Sequence, residues 1–145
     1  ALRENIKMDY VLSLQSRYSL AIVYSRQQRF TQARELLVEA ASSLGHPATK
    51  SEMAGGLETE AELALAEERW DDAAAIYQTL IDLYQAGGYR WQHARILIDL
   101  GDALAGRCEP GDLDQARATY QQALGMFTEM GASGYVQVME KRLNS

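Results

Sequence analysis

The chain has 145 residues, 47% of them apolar, with only 2 prolines and 1 cysteine. That composition can fill the core of one domain or one segment of an array; it favours helix over other structure and leaves no partner for an internal disulfide. A formal charge of −6 argues against nucleic acid, whose phosphates call for clustered Lys and Arg, and no apolar run approaches the ~20 residues of a membrane span.

The opening Ala1-Leu2-Arg3-Glu4-Asn5 is neither a signal peptide nor a transit peptide. With one cysteine and no leader, the expected location is the cytoplasm. The first residue is not Met and the pattern is helical from the outset, so the chain reads as a fragment of a longer protein. Residues 1–6 are expected to end a preceding helix. From there to Gln28 nothing interrupts, and Leu14, Arg17, Leu20, Ala21 and Tyr24 share one face. Thr31 is the expected N-cap of a second helix carrying Phe30, Ala33, Leu37, Ala40, Ala41 and Leu44 along one stripe. Gly45-His46-Pro47 stops it.

A third helix begins near Ala48, with Leu57, Ala61 and Ala64 on its apolar face. Gly55-Gly56 should weaken it by ~1 kcal/mol per glycine, through fraying or a delayed start, or because a neighbouring helix comes close. Trp70 opens a fourth helix whose Ala73, Tyr77, Leu80, Ile81 and Tyr84 fall on one side. Gln85-Ala86-Gly87-Gly88 ends it. A fifth runs from about Tyr89 to Ala105. After the turn Gly106–Gly111, Asp112 or Asp114 is expected to cap a sixth, with Leu113, Ala116, Tyr120, Ala123, Leu124 and Phe127 inward. A short last helix covers residues 134–143.

Ala33, Ala73 and Ala116 are equivalent positions, spaced by 40 and 43 residues. Periods of that size indicate stacked helix pairs. The pairs resemble tetratricopeptide repeats: Leu20-Ala21-x-x-Tyr24 and Leu100-Gly101-x-x-Leu104 on the first helices, and Phe30…Ala33…Leu37…Ala40, Trp70…Ala73…Tyr77…Leu80 and Leu113…Ala116…Tyr120…Ala123 on the second. In the middle pair Glu60-Ala61-x-x-Ala64 keeps only the small residue. The period exceeds the usual 34 and looks like the long repeats of bacterial signal-transduction ATPases and their cyclase- or kinase-linked relatives. HEAT and armadillo pairs have similar periods without the aromatic–Ala–aromatic rhythm. The resemblance implies an all-α fold, a right-handed α-α superhelix of three pairs (about 7–47, 48–88 and 89–131) plus a capping helix, in one domain. It places Ala21, Ala61 and Gly101 where paired helices cross, facing Ala33, Ala73 and Ala116, with the aromatics between pairs.

No catalytic constellation stands out. His46 and His93 lack metal-ligand spacing and are expected at the surface or in caps. The run Glu58, Glu60, Glu62, Glu67 and Glu68 reads as a solvated face, and Cys108 as a chance loop thiol. No cofactor or metal is expected, and no enzymatic activity. The resemblance implies that the first helices line a concave groove. Their outward positions are Tyr18, Ile22 and Ser25, then Glu58, Glu62 and Leu65, then Arg95, Ile98, Asp99 and Asp102. Acids with apolar anchors suit a basic or amphipathic peptide or helix rather than a peptide carboxylate. The expected function is a protein-interaction module or scaffold in a bacterial regulatory protein, with a protein or peptide partner, no nucleic acid, no membrane and no indicated homo-oligomer. The alternatives are a small-molecule-sensing segment of a signalling ATPase, or part of an enzyme whose active site lies elsewhere in a parent chain.

Overall fold

Seven α-helices and no strand make up the regular structure of the described residues; the computed structural model describes the backbone of residues 2–145 and the side chains of residues 14–145. The helices are α1 Leu2–Arg26, α2 Phe30–Ser42, α3 Lys50–Ala66, α4 Trp70–Gly87, α5 Arg90–Arg107, α6 Asp112–Glu129 and α7 Ser133–Leu143. From Leu2 onward α1 is unbroken, so residues 2–6 belong to it and do not end an earlier helix.

The helix ends follow from local chemistry. At the ends of α1, α4 and α6 one residue turns left-handed: Gln28 (φ 62°), Gly88 (φ 75°) and Gly131 (φ 70°). The residue after each donates its N–H five residues back, Arg29 to Tyr24, Tyr89 to Tyr84 and Ala132 to Phe127, at 2.8–2.9 Å. This motif satisfies carbonyls that the helix end would leave unpaired. Gln28 and Glu68 (φ 58°) are left-handed without being glycine, at a cost of about 1–2 kcal/mol each. Thr49 caps α3: its Oγ1 accepts the Glu52 N–H at 3.2 Å, and the Glu52 carboxylate accepts the Thr49 N–H at 3.1 Å. The Thr49 backbone N–H, and then its hydroxyl, hold the Glu52 carboxyl below its ordinary range. Thr31 does not cap α2; the helix starts one residue earlier, with Arg29 at the cap and no side-chain bond. Neither Asp112 nor Asp114 caps α6, whose cap is Gly111.

The chain divides into two compact units, residues 1–68 and 69–145. In the first, α1 and α2 run antiparallel, held by Arg17, which donates to Ser43 Oγ at 3.1 Å and pairs with Glu39 at 3.5 Å. α1 and α3 run parallel: Tyr18 lies over Gly55 and Gly56, and eight residues on Arg26 meets Glu62 at 3.4 Å. A methyl at Gly55 would sit 3.4 Å from the Tyr18 ring and one at Gly56 3.3 Å from its hydroxyl. A methyl would thus be slightly crowded at Gly56 and in ordinary contact at Gly55, and α3 runs unbroken through both glycines. Among the described residues, the buried apolar side chains of this unit are Leu14, Ala21, Ala33, Ala40, Ala54, Ala61, Leu63 and Ala64. Six are alanines, so the helices approach on small side chains. Phe30, Leu37 and Leu44 are half-buried, whereas Ala41 and Leu20 are exposed, a narrower stripe than the sequence spacing suggests.

In the second unit α5 is flanked by antiparallel α4 and α6, and α7 runs parallel to α5. Trp70 of α4 lies on Gly106 of α5, where a methyl would stand 2.6 Å from its ring. Tyr120 of α6 lies on Gly101, where a methyl would overlap the ring, 2.9 Å from Cδ1. Phe127 and Tyr135 stack at 4.6 Å between centroids, and Trp91 sits edge-on to both. The core here is larger-grained: Tyr77, Leu80, Ile81, Ile96, Leu97, Phe127 and Met139 are buried beside Ala73, Ala94, Ala103, Ala116 and Ala123. Leu113, expected inward, is 59% exposed.

Candidate protein-interaction site

In the first unit, the parallel pair α1/α3 carries six of the residues singled out from the sequence. Tyr18 is spent on the helix–helix contact over Gly55-Gly56 and offers only its half-buried edge. Ile22, Glu58, Glu62 and Leu65 are each half-buried. Ser25 is buried and donates to the Ala21 carbonyl at 2.8 Å, so it does not face a partner. Glu62 is shared with exposed Arg26. Glu67 pairs with Arg34 of α2, so the acidic run is partly neutralised and is not simply a solvated face.

In the second unit the outcome differs. Ile98 is only 6% exposed and belongs to the core; it cannot act as a surface anchor. Arg95 and Asp99 are half-buried. Asp102 is held internally: it accepts the Tyr120 hydroxyl at 2.5 Å and the Arg142 guanidinium at 3.0 and 3.1 Å. One carboxylate thus ties α5 to α6 and α7. Burial and the Asp102 charge push the Tyr120 phenol well above its ordinary range, and the same carboxylate raises Arg142. Asp102 is therefore a structural tie and no free acid of a groove.

A second tie closes the α5–α6 turn. Arg107 donates from Nε and Nη2 to both oxygens of buried Asp112, each at 2.8 Å, and from Nη1 to Asp71 of α4 at 2.8 Å. Asp112 also accepts the Glu109 N–H at 2.9 Å. The guanidinium pulls the Asp112 carboxyl down to about 2. Bidentate Arg–carboxylate pairing fixes geometry as well as charge, and here it locks the only turn containing an exposed thiol, Cys108. The sequence placed Asp112 at a cap; what it lacked was the partner, Arg107, five residues earlier.

The remaining titratable groups do not converge. His46 Nε2 lies 3.8 Å from Glu52. His93, expected at the surface or in a cap, is buried; its Nε2 has no partner among the described residues, and burial lowers its pKa. Among the described residues no three His, Cys, Asp or Glu side chains are grouped to hold a metal, and no helix is long and apolar enough to cross a membrane.

Both units are built of antiparallel helices whose ionic groups tie helix to helix, the architecture of a helical-repeat protein. The family described as soluble NSF attachment protein, SNAP, matches residues 16–143, and the chain belongs to that family. The match spans both units. The tetratricopeptide resemblance agrees with this membership at the level of paired helices. No curated protein matches the chain.

Proposed function

We propose that the chain is a non-catalytic interaction module that binds a basic or amphipathic helix of a partner protein along the exposed α1/α3 face. The observation that supports the proposal is the parallel run of these two helices, with Tyr18 over Gly55 and Gly56 and Arg26 beside Glu62, along which Ile22, Glu58 and Leu65 are half-buried. Apolar anchors ringed by acids suit a helix with an apolar stripe and flanking Lys or Arg. The family's description as an attachment protein supports a protein as the partner. The 40- and 43-residue spacing of Ala33, Ala73 and Ala116 supports three long-period repeats, of the kind found in cytoplasmic regulatory proteins of bacteria.

Fluorescence anisotropy with a labelled amphipathic Lys/Leu helix tests this. The Arg26–Glu62 pair is exposed and worth only ~0–1 kcal/mol, so Glu62→Lys leaves the fold intact. Glu58→Lys/Glu62→Lys should weaken binding at least tenfold, and Ile22→Asp by a similar factor. Unchanged affinity in both variants would overturn the proposed face.

A further inference from the structure

α4 and α6 flank α5, and between them the second unit leaves a groove of about 550 Å³. All of its borders belong to these three helices, in the interior of the chain. The floor is one stripe of α5, with Leu100, Leu104 and Arg107 at i, i+4 and i+7. Leu100 and Leu104 are only 9% and 7% exposed, so the floor has little apolar surface left to cover. The walls are low. Ala75 of α4 and Ala118 of α6, each two residues after an equivalent alanine of the repeat, face the groove and are exposed. Hydrogen-bonding groups stand beside them, Gln78 on one wall and Gln115 and Thr119 on the other. Gln78 donates to Asp82 at 3.1 Å and Thr119 to the Gln115 carbonyl at 2.8 Å. Both side-chain oxygens therefore keep lone pairs that can accept.

The charge of the groove is one-sided. At its Arg107 end one guanidinium meets three carboxylates, Asp71 and Asp112 at 2.8 Å and Glu109 at 3.6 Å. Two negative charges are left over, and the Asp71 and Glu109 side chains are 79% and 61% exposed. Among the described residues, no charged side chain other than Asp71 and Arg107 borders the groove.

We propose that this groove binds an extended segment of a partner protein, a short run of Ala, Gly or Ser with Arg or Lys at one end. The cation complements the excess charge at Asp71 and Glu109. Small side chains clear Ala75 and Ala118, and the segment's backbone N–H and C=O groups meet Gln78, Gln115 and Thr119. Asp71 and Gln78 are seven residues apart on α4, about 10 Å along its axis, which an extended chain crosses in about three residues. A helix with a leucine stripe finds no apolar floor here, because Leu100 and Leu104 are already covered. The groove lies within the second unit and the α1/α3 face within the first, so either can fail alone.

The probe is a labelled peptide of about eight residues, Gly-Ser-Arg-Ala-Ala-Ser-Gly-Ser, too short to be helical by itself. It should bind the intact chain saturably in an anisotropy titration, and the same peptide with Glu in place of Arg should bind at least tenfold more weakly. Ala75→Leu and Ala118→Leu, both at exposed helix positions, should each weaken binding about tenfold while circular dichroism and melting stay unchanged. Glu58→Lys/Glu62→Lys should leave it as in the wild type. Absence of saturable binding, or binding indifferent to both leucine substitutions and to the charge of the peptide, would overturn the proposal. So would loss of the amphipathic Lys/Leu helix in Ala118→Leu, since the occupant would then be a helix. A concentration-dependent dimer in sedimentation that Ala118→Leu disperses would overturn it too, with a second copy of this chain as the occupant.

Discussion

Gly101 should be the least replaceable small residue in the second unit, and Gly101→Ala measures why. In an open helix the change stabilises by about 1 kcal/mol, because alanine loses less backbone freedom. At Gly101 the added methyl would overlap the Tyr120 ring. Forcing a methyl into a filled site costs about 1–3 kcal/mol. If the ring moves, the 2.5 Å hydrogen bond from its hydroxyl to Asp102 is lost as well, and a bond to a charged acceptor is worth about 1.5–3 kcal/mol. The sum is a net destabilisation of about 1.5–5 kcal/mol. Gly125 is the control. It lies in the interior of α6 with nothing within 4 Å of a would-be Cβ, so Gly125→Ala should gain about 0.5–1 kcal/mol. Urea unfolding followed by tryptophan fluorescence gives both numbers. In a Tyr120→Phe background the hydrogen-bond part disappears, and Gly101→Ala should cost only the steric part. A Gly101→Ala chain as stabilised as Gly125→Ala would refute the close packing of α5 on α6.

Three further outcomes are expected. The Asp112 carboxyl is held at about 2, against 3.8 for the free group, chiefly by its hydrogen bonds from Arg107. A depressed carboxyl contributes its stability above the unfolded value and loses it as pH falls from about 4 toward 2, so Asp112→Asn should flatten that stretch of an acid-unfolding curve. His93 has its pKa lowered by burial alone. The unfolded chain then binds the proton more readily, so stability should decline as pH falls below 6.5 toward the folded value, and His93→Phe should remove that slope in melts taken between pH 7 and 5. Thr49→Ala removes the cap of α3 and should cost about 1 kcal/mol, while Thr31→Ala, at a residue that caps nothing, should leave the melting temperature unchanged.

Helix identity was legible because periodicity and punctuation agree. Trp70 opens α4 and Gly88 closes it, as the aromatic start and paired glycines indicate. Likewise Ala21, Ala33, Ala61, Ala73, Gly101 and Ala116 are buried where the repeat places its small residues. The left-handed turns at Gln28 and Glu68 were hidden because neither is glycine, although each stands two residues before an aromatic helix start. The capping box of α3 is written in the sequence as Thr49-x-x-Glu52, one residue past the expected start at Ala48.

The site was less legible, for a physical reason. Assigning outward positions assumes that each first helix has one buried face. α5 is covered by α4, α6 and α7, so Ile96, Leu97 and Ile98 are all buried in succession. Asp102 looked like a free acid because its partners lie 18 and 40 residues away in sequence, beyond the reach of any local pattern. Charge reversal at Asp102 would therefore report on the α5–α7 tie and not on partner binding. α1 and α3 come closer to the assumption, and there Ile22, Glu58, Glu62 and Leu65 keep part of their surface.

The most direct test of the interaction module is chemical-shift mapping of the isotope-labelled chain during titration with the amphipathic Lys/Leu helix. Amide shifts clustered on α1 and α3 around Ile22, Glu58, Glu62 and Leu65, with Leu113 and Asp114 of α6 silent, are the expected result. Shifts scattered over both units, or confined to α5 and α6 with α1 and α3 unmoved, would contradict it.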